Sequence, residues 1–176
     1  IARELGGLVI NADSMQVYDT LRILTARPSD EELAQAPHAL YGHVSAAHAY
    51  SAAQWVEDVE RTLAACRSAG RIPVIVGGTG LYFKVLLEGL SPVPAIPDDV
   101  RRHWRTQAER LGAAALHAEL AKRDAVMAER LRPTDPQRIT RALEVLEATG
   151  QSLGVWQEMP GRPVLEAGAT VRLCLR

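Results

Sequence analysis

The sequence predicts an α/β protein built on a parallel sheet with a helical insertion, and three features of the chain lead to this prediction. Two short apolar runs, residues 8–10 and 73–76, are typical of buried strands. The segment between them at residues 51–68 is an amphipathic helix, and strand, helix and strand in this order favour parallel pairing. From residue 98 to about residue 150, charged helical segments follow one another without a strand.

The first predicted strand covers about residues 7–11, and it follows a segment that is typical of a helix end. Gly6 or Gly7 can supply the left-handed cap at which a helix stops. A helix that ends near residue 6 should begin upstream, and residues 170–176 are typical of a strand at the other end. We therefore expect the chain to be a piece of a longer protein.

Helices with recognisable caps follow in the first half of the chain. Ser29 or Asp30 can cap a short helix that Pro37 ends. Ser51 can cap the longer amphipathic helix, which Gly70 ends. The second strand then leads into a glycine-rich turn.

The second half of the chain is predicted to be helical. Residues 91–99 hold three prolines and are typical of a linker, and two charged helices are predicted at residues 98–112 and 112–131. A further helix should begin at the cap residue Asp135 and stop at Gly150. These boundaries divide the chain into an α/β core at residues 1–92, a helical insertion at 93–150 and a return towards the core at 151–176.

The composition is that of an ordinary globular protein. The chain has 176 residues, of which 47% are hydrophobic and 23% charged, and its formal net charge is −1. No overall basic field indicates a nucleic-acid partner, although a local basic patch is compatible with a neutral total. The two cysteines lie far apart without metal-ligand spacing. No apolar run approaches the length of a membrane span, about 18 residues, and no leader pattern opens the chain. We expect reduced thiols and a cytoplasmic protein that does not enter a membrane.

Polar residues and glycines follow the two predicted strands where each strand ends. They are Asp13, Ser14 and Gln16 after the first strand, and Gly77, Gly78, Thr79 and Gly80 after the second. Ligands of open parallel sheets bind at the carboxyl ends of the strands, so both groups should face one crevice. Glycine N–H groups there can meet anionic oxygens. Two alternatives stay open: the glycines form a tight turn without a ligand, and Asp13 only caps a turn.

A third cluster lies on the last predicted helix. Arg138 and Arg141 are three residues apart on one face, a spacing that suits phosphate groups. The alternative is a solvated face on which Arg141 or Arg138 pairs with Glu144. His38 is expected to make a structural hydrogen bond from a loop.

Five blocks of the sequence, in this order, resemble the tRNA dimethylallyltransferases over residues 1 to about 155. They are NADSMQVYDTLRILTARPS, PHALYGHV, YSAAQWVEDV, PVIVGGTGLYFKVLLEGL and DPQRITRALEVLEATG. The resemblance implies a core like that of P-loop kinases. It also implies transfer of a dimethylallyl group from dimethylallyl diphosphate to the exocyclic N6 amine of the adenine 3′-adjacent to the anticodon. The partner would be the tRNA anticodon stem-loop, the cofactor Mg²⁺, and the expected state a monomer.

The resemblance also implies roles for individual residues. Asp13 matches the general base on the target amine, and the flipped adenine would be lined by Ser14, Met15 and Gln16. Further contacts to tRNA are implied for Thr79, Arg101, Gln137, Arg138, Ile139, Thr140 and Arg141. Gly77 and Gly78 are candidate contacts to the diphosphate.

The chain departs from the family pattern in three places. The motif G-x-x-x-x-G-K-[ST] is absent, so we expect the diphosphate and Mg²⁺ ligands to lie outside this chain and the fragment alone to be inactive. Arg27 replaces a lysine, and Ala39 replaces a histidine. Three alternatives to tRNA modification stay open: prenyl transfer to free adenine nucleotides, phosphoryl transfer, and tRNA binding without chemistry.

Overall fold

The computed structural model describes residues 1–174, and it divides the chain into two compact units. One unit comprises Ile1–Leu90 together with the segment that begins at Arg162, and we refer to it as the sheet unit. The other comprises Ser91–Gly161, and we refer to it as the helical unit.

The sheet unit is built on three parallel strands in the order β2-β1-β3. The strands are β1 (Leu8–Asn11), β2 (His38–Ala39) and β3 (Pro73–Val76). Along β1 and β3 the register runs from Leu8 opposite Pro73 to Asn11 opposite Val76. The predicted parallel α/β class is confirmed. β2 was not predicted, because two residues are too few to show an alternating pattern.

The described part of the sheet unit also holds three α-helices, α1 (Asp30–Leu33), α2 (Ala52–Ser68) and α3 (Gly80–Glu88), and a short 3-10 helix at Ala167–Ala169. Ser29 and Ser51 are the N-caps of α1 and α2, in agreement with the predicted caps, and each also closes a capping box with the residue three positions later. Gly70 has a φ of 63°, the left-handed conformation expected just after α2.

Trp55 of α2 contacts both α3 and the end of β1. Its side chain is fully buried and stacks on Tyr82 of α3, with ring centroids 4.1 Å apart and planes inclined by 8°. Its indole N–H donates to the carbonyl oxygen of Asn11 at 3.0 Å. The surrounding core consists of Ile10, Ala12, Val17, Trp55, Val59, Leu63, Cys66, Tyr82, Val85 and Leu86. Trp55, which is itself packed against Tyr82, thus holds the last residue of β1 in place.

The helical unit contains α4 (Asp98–Arg123), α5 (Ala125–Arg130), α6 (Pro136–Thr149) and α7 (Leu153–Glu158). Gly112 interrupts α4 with a φ of 75°, where the sequence predicts the boundary between two helices. The second of these was predicted to continue to residue 131. Instead, the Asp124 side chain accepts a hydrogen bond from the Met127 N–H at 3.0 Å and starts α5. Asp135 caps α6 and Gly150 ends it with a φ of 68°, as predicted.

The helical unit extends further along the chain than residues 93–150. Leu153 of α7 is buried in its core, and the indole N–H of Trp156 donates to Thr149 Oγ1 at 3.2 Å. Residues 151–161 therefore pack with the helices, and the return to the sheet unit begins at Arg162. The core of the helical unit consists of Ile96, Trp104, Leu116, Leu120, Met127, Ala128, Ile139, Ala142, Leu143, Val145 and Leu153.

The sequence predicts the end of a helix before residue 7 and a strand at residues 170–176, and the structure differs from the second of these. Residues 1–7 form a turn closed by a hydrogen bond from the Leu5 N–H to the Ile1 carbonyl, with Gly6 at a φ of 61°. The terminal strand predicted at residues 170–176 does not form over residues 170–174, where Val171 and Leu173 are 91% and 73% exposed. A strand needs a neighbouring backbone to pair with. The last two residues of that prediction lie outside the described residues.

Across residues 1–174, every helix is too short or too polar to cross a membrane.

Candidate functional site

The turn that follows β1 and the turn that follows β3 are in direct contact. The Ala12 N–H donates to the Val76 carbonyl at 2.7 Å, which extends the pairing by one residue. A Cβ added to Gly77 would overlap the Ala12 carbonyl group and would lie 2.7 Å from the Asp13 nitrogen. The predicted convergence of the two loops at one sheet edge is therefore confirmed. Gly77 is required there because the facing backbone leaves no room for a side chain.

Asp13 uses its two carboxylate oxygens differently. Oδ1 accepts hydrogen bonds from the backbone N–H groups of Met15 at 2.8 Å and Gln16 at 3.3 Å. The hydrogen bonds that the described residues make to this carboxylate all end on Oδ1. Oδ2 faces Gly78, at 3.5 Å from where a Cβ would be. Asp13 is thus the cap of its turn, as one alternative predicts, and it also presents an oxygen that can accept a proton.

Asn11 is a site residue that sequence reasoning missed. Its side chain is fully buried; Nδ2 donates to the carbonyls of Asp13 at 2.9 Å and Leu40 at 3.0 Å. Its Oδ1 accepts from the Asp13 N–H at 2.9 Å. A buried amide costs free energy unless it is hydrogen-bonded, so these three bonds hold the turn in place. The available signal was a polar residue placed directly after an apolar run.

Thr79 is hydrogen-bonded to the opposite turn. Its Oγ1 accepts from the Ser14 N–H at 2.9 Å and lies at hydrogen-bond distance from Ser14 Oγ, 3.2 Å away. Ser14 and Thr79, both predicted to contact tRNA, are therefore brought together. Whether either one meets RNA stays a prediction.

Gln16 and Met15 leave the turn in different directions. The Gln16 amide nitrogen donates to the carbonyls of Thr25 at 2.9 Å and Ala26 at 3.3 Å, so it holds the following loop. Met15 is 50% exposed. Their predicted contact with adenine stays a prediction.

The sheet unit also contains a cavity of about 220 Å³. Its walls are Arg27, Pro28, Leu33, His38, Ala39, Leu40, Tyr41 and Gly42. Arg27 Nη1 donates to the Tyr18 carbonyl at 2.6 Å, and the guanidinium fills the space that a side chain at Gly42 would need. His38 makes the structural hydrogen bond predicted for it, between Nδ1 and the Ala36 carbonyl at 2.7 Å, but from β2 rather than from a loop.

The tyrosines around Asp13 are neutral at ordinary pH. Burial raises the pKa of Tyr41, and the nearby Asp13 carboxylate raises it further. Burial likewise raises the pKa of Tyr82 to about 12, with smaller contributions from Tyr18 and Asp13. The phenols therefore add no second negative charge beside the carboxylate.

The arginines of α6 are paired differently from each other. Arg141 Nη1 lies 3.4 Å from Glu144 Oε2, which is one of the ion pairs that the sequence predicts. The other alternative, Arg138 with Glu144, is wrong, because Arg138 Nε lies 3.5 Å from Asp135 Oδ2 one turn earlier. The Arg138 side chain is 76% exposed and that of Arg141 is 41% exposed, so both can reach a ligand in solvent.

The remaining residues predicted to contact tRNA have mixed exposure. Ile139 is fully buried in the helical core and Thr140 is 8% exposed, so these two side chains mainly pack. Gln137 is exposed. Arg101 is half-buried, and its buried Nε has no hydrogen-bond partner among the described residues.

Residues 1–174 contain no group of three or more His, Cys, Asp or Glu side chains that could hold a metal ion. Asp13 alone does not make a Mg²⁺ site, because this cation takes near-octahedral oxygen coordination. The Mg²⁺ that the resemblance implies stays a prediction, with its ligands expected outside this chain.

Replacing Gly77 with alanine should lower the free energy of unfolding by about 1–3 kcal/mol, because the added methyl group overlaps the Ala12 carbonyl. Chemical denaturation followed by circular dichroism measures this change. Gly80→Ala is the matched control, since nothing lies within 4 Å of a Cβ at this position in α3. A Gly77→Ala protein as stable as the control would show that the two turns are not in contact.

Known proteins with similar sequences are tRNA dimethylallyltransferases. The chain is 59% identical to the tRNA dimethylallyltransferase of Agrobacterium fabrum over 94% of its length, and 56% identical to that of Methylocella silvestris over 97%. It spans 56% of the length of each of these relatives, which is little more than half.

Solved structures show the same likeness. A eukaryotic dimethylallyltransferase acting on tRNA matches 93% of the chain with a TM-score of 0.74 and 26% identity, and the chain covers 41% of that protein. The full-length tRNA isopentenylpyrophosphate transferase of Bacillus halodurans matches 85% of the chain with a TM-score of 0.51 and 33% identity, and half of that protein is covered. Residues 16–175 match the family described as IPP transferase. On this match, which spans most of its length, the chain belongs to the IPP transferase family.

Proposed function

We propose that the full-length protein transfers a dimethylallyl group from dimethylallyl diphosphate to the N6 amine of the adenine 3′-adjacent to the anticodon of tRNA. The family and the names of the relatives support this reaction class. The observation that carries the proposal is the carboxylate of Asp13 at the paired strand ends. One of its oxygens is bound by the turn, and the other accepts no hydrogen bond from the described residues.

The Asp13 carboxylate can act as the general base that this reaction requires. The lone pair of an adenine amine is delocalised into the ring, so the amine is a poor nucleophile. As the bond from N6 to the allylic carbon forms and the bond from that carbon to the diphosphate oxygen breaks, Asp13 Oδ2 accepts the N6 proton. General-base help of this kind contributes about 10²–10⁴-fold to a rate.

The target base must leave the anticodon stack to reach this carboxylate, at a cost of about a few kcal/mol. A catalytic group that is already held in place needs no ordering during the reaction, so a fixed site adds little to this free-energy cost. Asn11 and Thr79 hold the Asp13 turn in this way. The exposed Met15 beside the turn supplies an apolar surface for the extruded base.

The helical unit favours tRNA over a free nucleotide as the acceptor. Arg138 and Arg141 lie more than 120 residues after Asp13 in the sequence, on a separate compact unit that a small nucleotide would not need. Guanidinium groups bind phosphates, and phosphate contacts supply most of the affinity for RNA. The proposal includes a monomeric protein acting in the cytoplasm, which light scattering and cell fractionation can check.

Incubating the full-length protein with labelled dimethylallyl diphosphate and an anticodon stem-loop RNA tests the function. We expect label on the adenine 3′ to the anticodon and none on free AMP. Transfer to AMP at a comparable rate would favour a free-nucleotide prenyltransferase. Stem-loop binding without transfer would leave only a tRNA-binding protein.

Arg138→Ala and Arg141→Ala should each weaken stem-loop binding in the full-length protein and reduce the slope of log affinity against log salt by up to about one unit. Fluorescence anisotropy over a series of salt concentrations measures both quantities. Arg110→Ala is the matched control, because this arginine of α4 is exposed and, among the described residues, its side chain is hydrogen-bonded to Gln107 alone, one turn away. Equal slopes for all three variants would mean that the α6 arginines are ordinary surface charges.

A further inference from the structure

Thr79 occupies the N-cap position of α3 but does not use its side chain as a cap. Its backbone is extended, with a φ of −85° and a ψ of 97°, and its hydroxyl makes no hydrogen bond to the first turn of the helix. Ser29 and Ser51, at the same position of α1 and α2, both accept from the helix as N-cap residues usually do. The hydroxyl of Thr79 is therefore used elsewhere.

Thr79 is hydrogen-bonded to the chain on both sides of Asp13. Its N–H donates to the Ala12 carbonyl at 3.1 Å, just before Asp13. Its Oγ1 accepts from the Ser14 N–H at 2.9 Å, just after Asp13. One residue of the β3–α3 turn thus fixes both peptide groups that flank the carboxylate residue. These contacts join parts of the chain that are 65 residues apart.

The hydrogen bonds of the Thr79 hydroxyl to the described residues all go to Ser14. A threonine hydroxyl has one proton to donate and two lone pairs to accept with. One lone pair accepts from the Ser14 N–H, and the contact to Ser14 Oγ at 3.2 Å uses either the proton or the second lone pair. The hydroxyl is therefore engaged with the turn that carries Asp13 and not with the first turn of α3.

We propose that Thr79 is a positioning residue for Asp13, whose hydroxyl holds the turn so that Oδ2 points at the substrate amine. This inference rests on the proposed function, in which Asp13 takes the N6 proton. It assigns Thr79 to the chemical step rather than to the binding of RNA. Small displacements of a catalytic group can lower a rate by up to about 10²-fold.

The test is Thr79→Val in the full-length protein, which removes the hydroxyl and keeps the shape of the side chain. Single-turnover dimethylallyl transfer at saturating RNA and donor should fall about 10-fold or more, while the Kd for the anticodon stem-loop changes less than about 3-fold. Thr79→Ser restores the hydroxyl and should recover most of the rate. Thr62→Val is the matched control, since Thr62 Oγ1 donates to the Asp58 carbonyl within α2, away from the strand ends.

Hydrogen exchange at the Ser14 amide provides a readout that does not need activity. We expect slow exchange in the wild-type protein and in Thr79→Ser, and faster exchange in Thr79→Val and Thr79→Ala. A stem-loop Kd that rises as far as kcat/KM falls, with an unchanged saturated rate, would make Thr79 an RNA contact and overturn the inference. So would a Thr79→Val rate equal to that of Thr62→Val, or unchanged Ser14 exchange. If the wild-type protein transfers no group, the proposed function fails, and the same exchange data still decide whether Thr79 anchors the turn.

Discussion

Replacing Asp13 with asparagine should lower the rate of dimethylallyl transfer by the full-length protein by about 10²-fold or more. Asparagine keeps the size of the side chain and one acceptor oxygen, so it can still accept from the N–H groups of Met15 and Gln16. It cannot take a proton from the adenine amine. Single-turnover kinetics at saturating RNA and donor measure the chemical step directly.

The binding of tRNA should change much less than this rate, because most of the affinity for RNA comes from phosphate contacts elsewhere. Asp124→Asn is the matched control, since Asp124 caps α5 with its carboxylate as Asp13 caps its turn. Asparagine and aspartate are about equally good caps, so neither variant should lose much stability. A wild-type rate for a folded Asp13→Asn protein would reduce Asp13 to a turn cap.

Replacing Trp55 with alanine should lower the free energy of unfolding by about 3–5 kcal/mol. The fully buried indole would leave a cavity, Tyr82 would lose its stacking partner, and the Asn11 carbonyl would lose a hydrogen bond. Trp55→Phe keeps an aromatic ring against Tyr82 but removes the indole N–H. This variant should therefore lose only part of that stability.

Equilibrium urea unfolding followed by far-ultraviolet circular dichroism measures these changes without relying on tryptophan fluorescence. Trp156→Ala in the helical unit serves for comparison, because Trp156 is only partly buried and donates to a threonine hydroxyl. We expect a smaller loss of stability there. If Trp55→Ala cost no more than Trp156→Ala, the aromatic pair would not be what holds the end of β1.

Several elements could be predicted from the sequence because their causes are local. Ser51 and Asp135 accept from N–H groups three residues later, and Gly150 ends α6 through its own backbone conformation. Such signals need no knowledge of the rest of the fold. The same reasoning missed the start of α5 at Asp124, where a cap occurs inside a continuous helical pattern.

Part of the site could be predicted as well. That Asp13 and Thr79 would meet followed from two apolar strands joined by a crossover helix, since parallel strands bring their carboxyl ends to one edge. The buried role of Asn11 did not follow, because its partners include the carbonyl of Leu40, almost thirty residues away. The pairing of Arg138 also depended on side-chain direction, which spacing alone does not define.

The sequence by itself determined the α/β class, the helical segment after the prolines, the family and the carboxylate that follows β1. Each of these depends on residue types at short separations or on blocks in a fixed order. Only the tertiary structure decided which oxygen of Asp13 accepts hydrogen bonds from the turn and which groups hold that turn. Those depend on hydrogen bonds to Thr79 and on the absence of a side chain at Gly77, both more than sixty residues from Asp13. Contacts at such separations form only when strand pairing has brought the two turns together, so no local pattern encodes them.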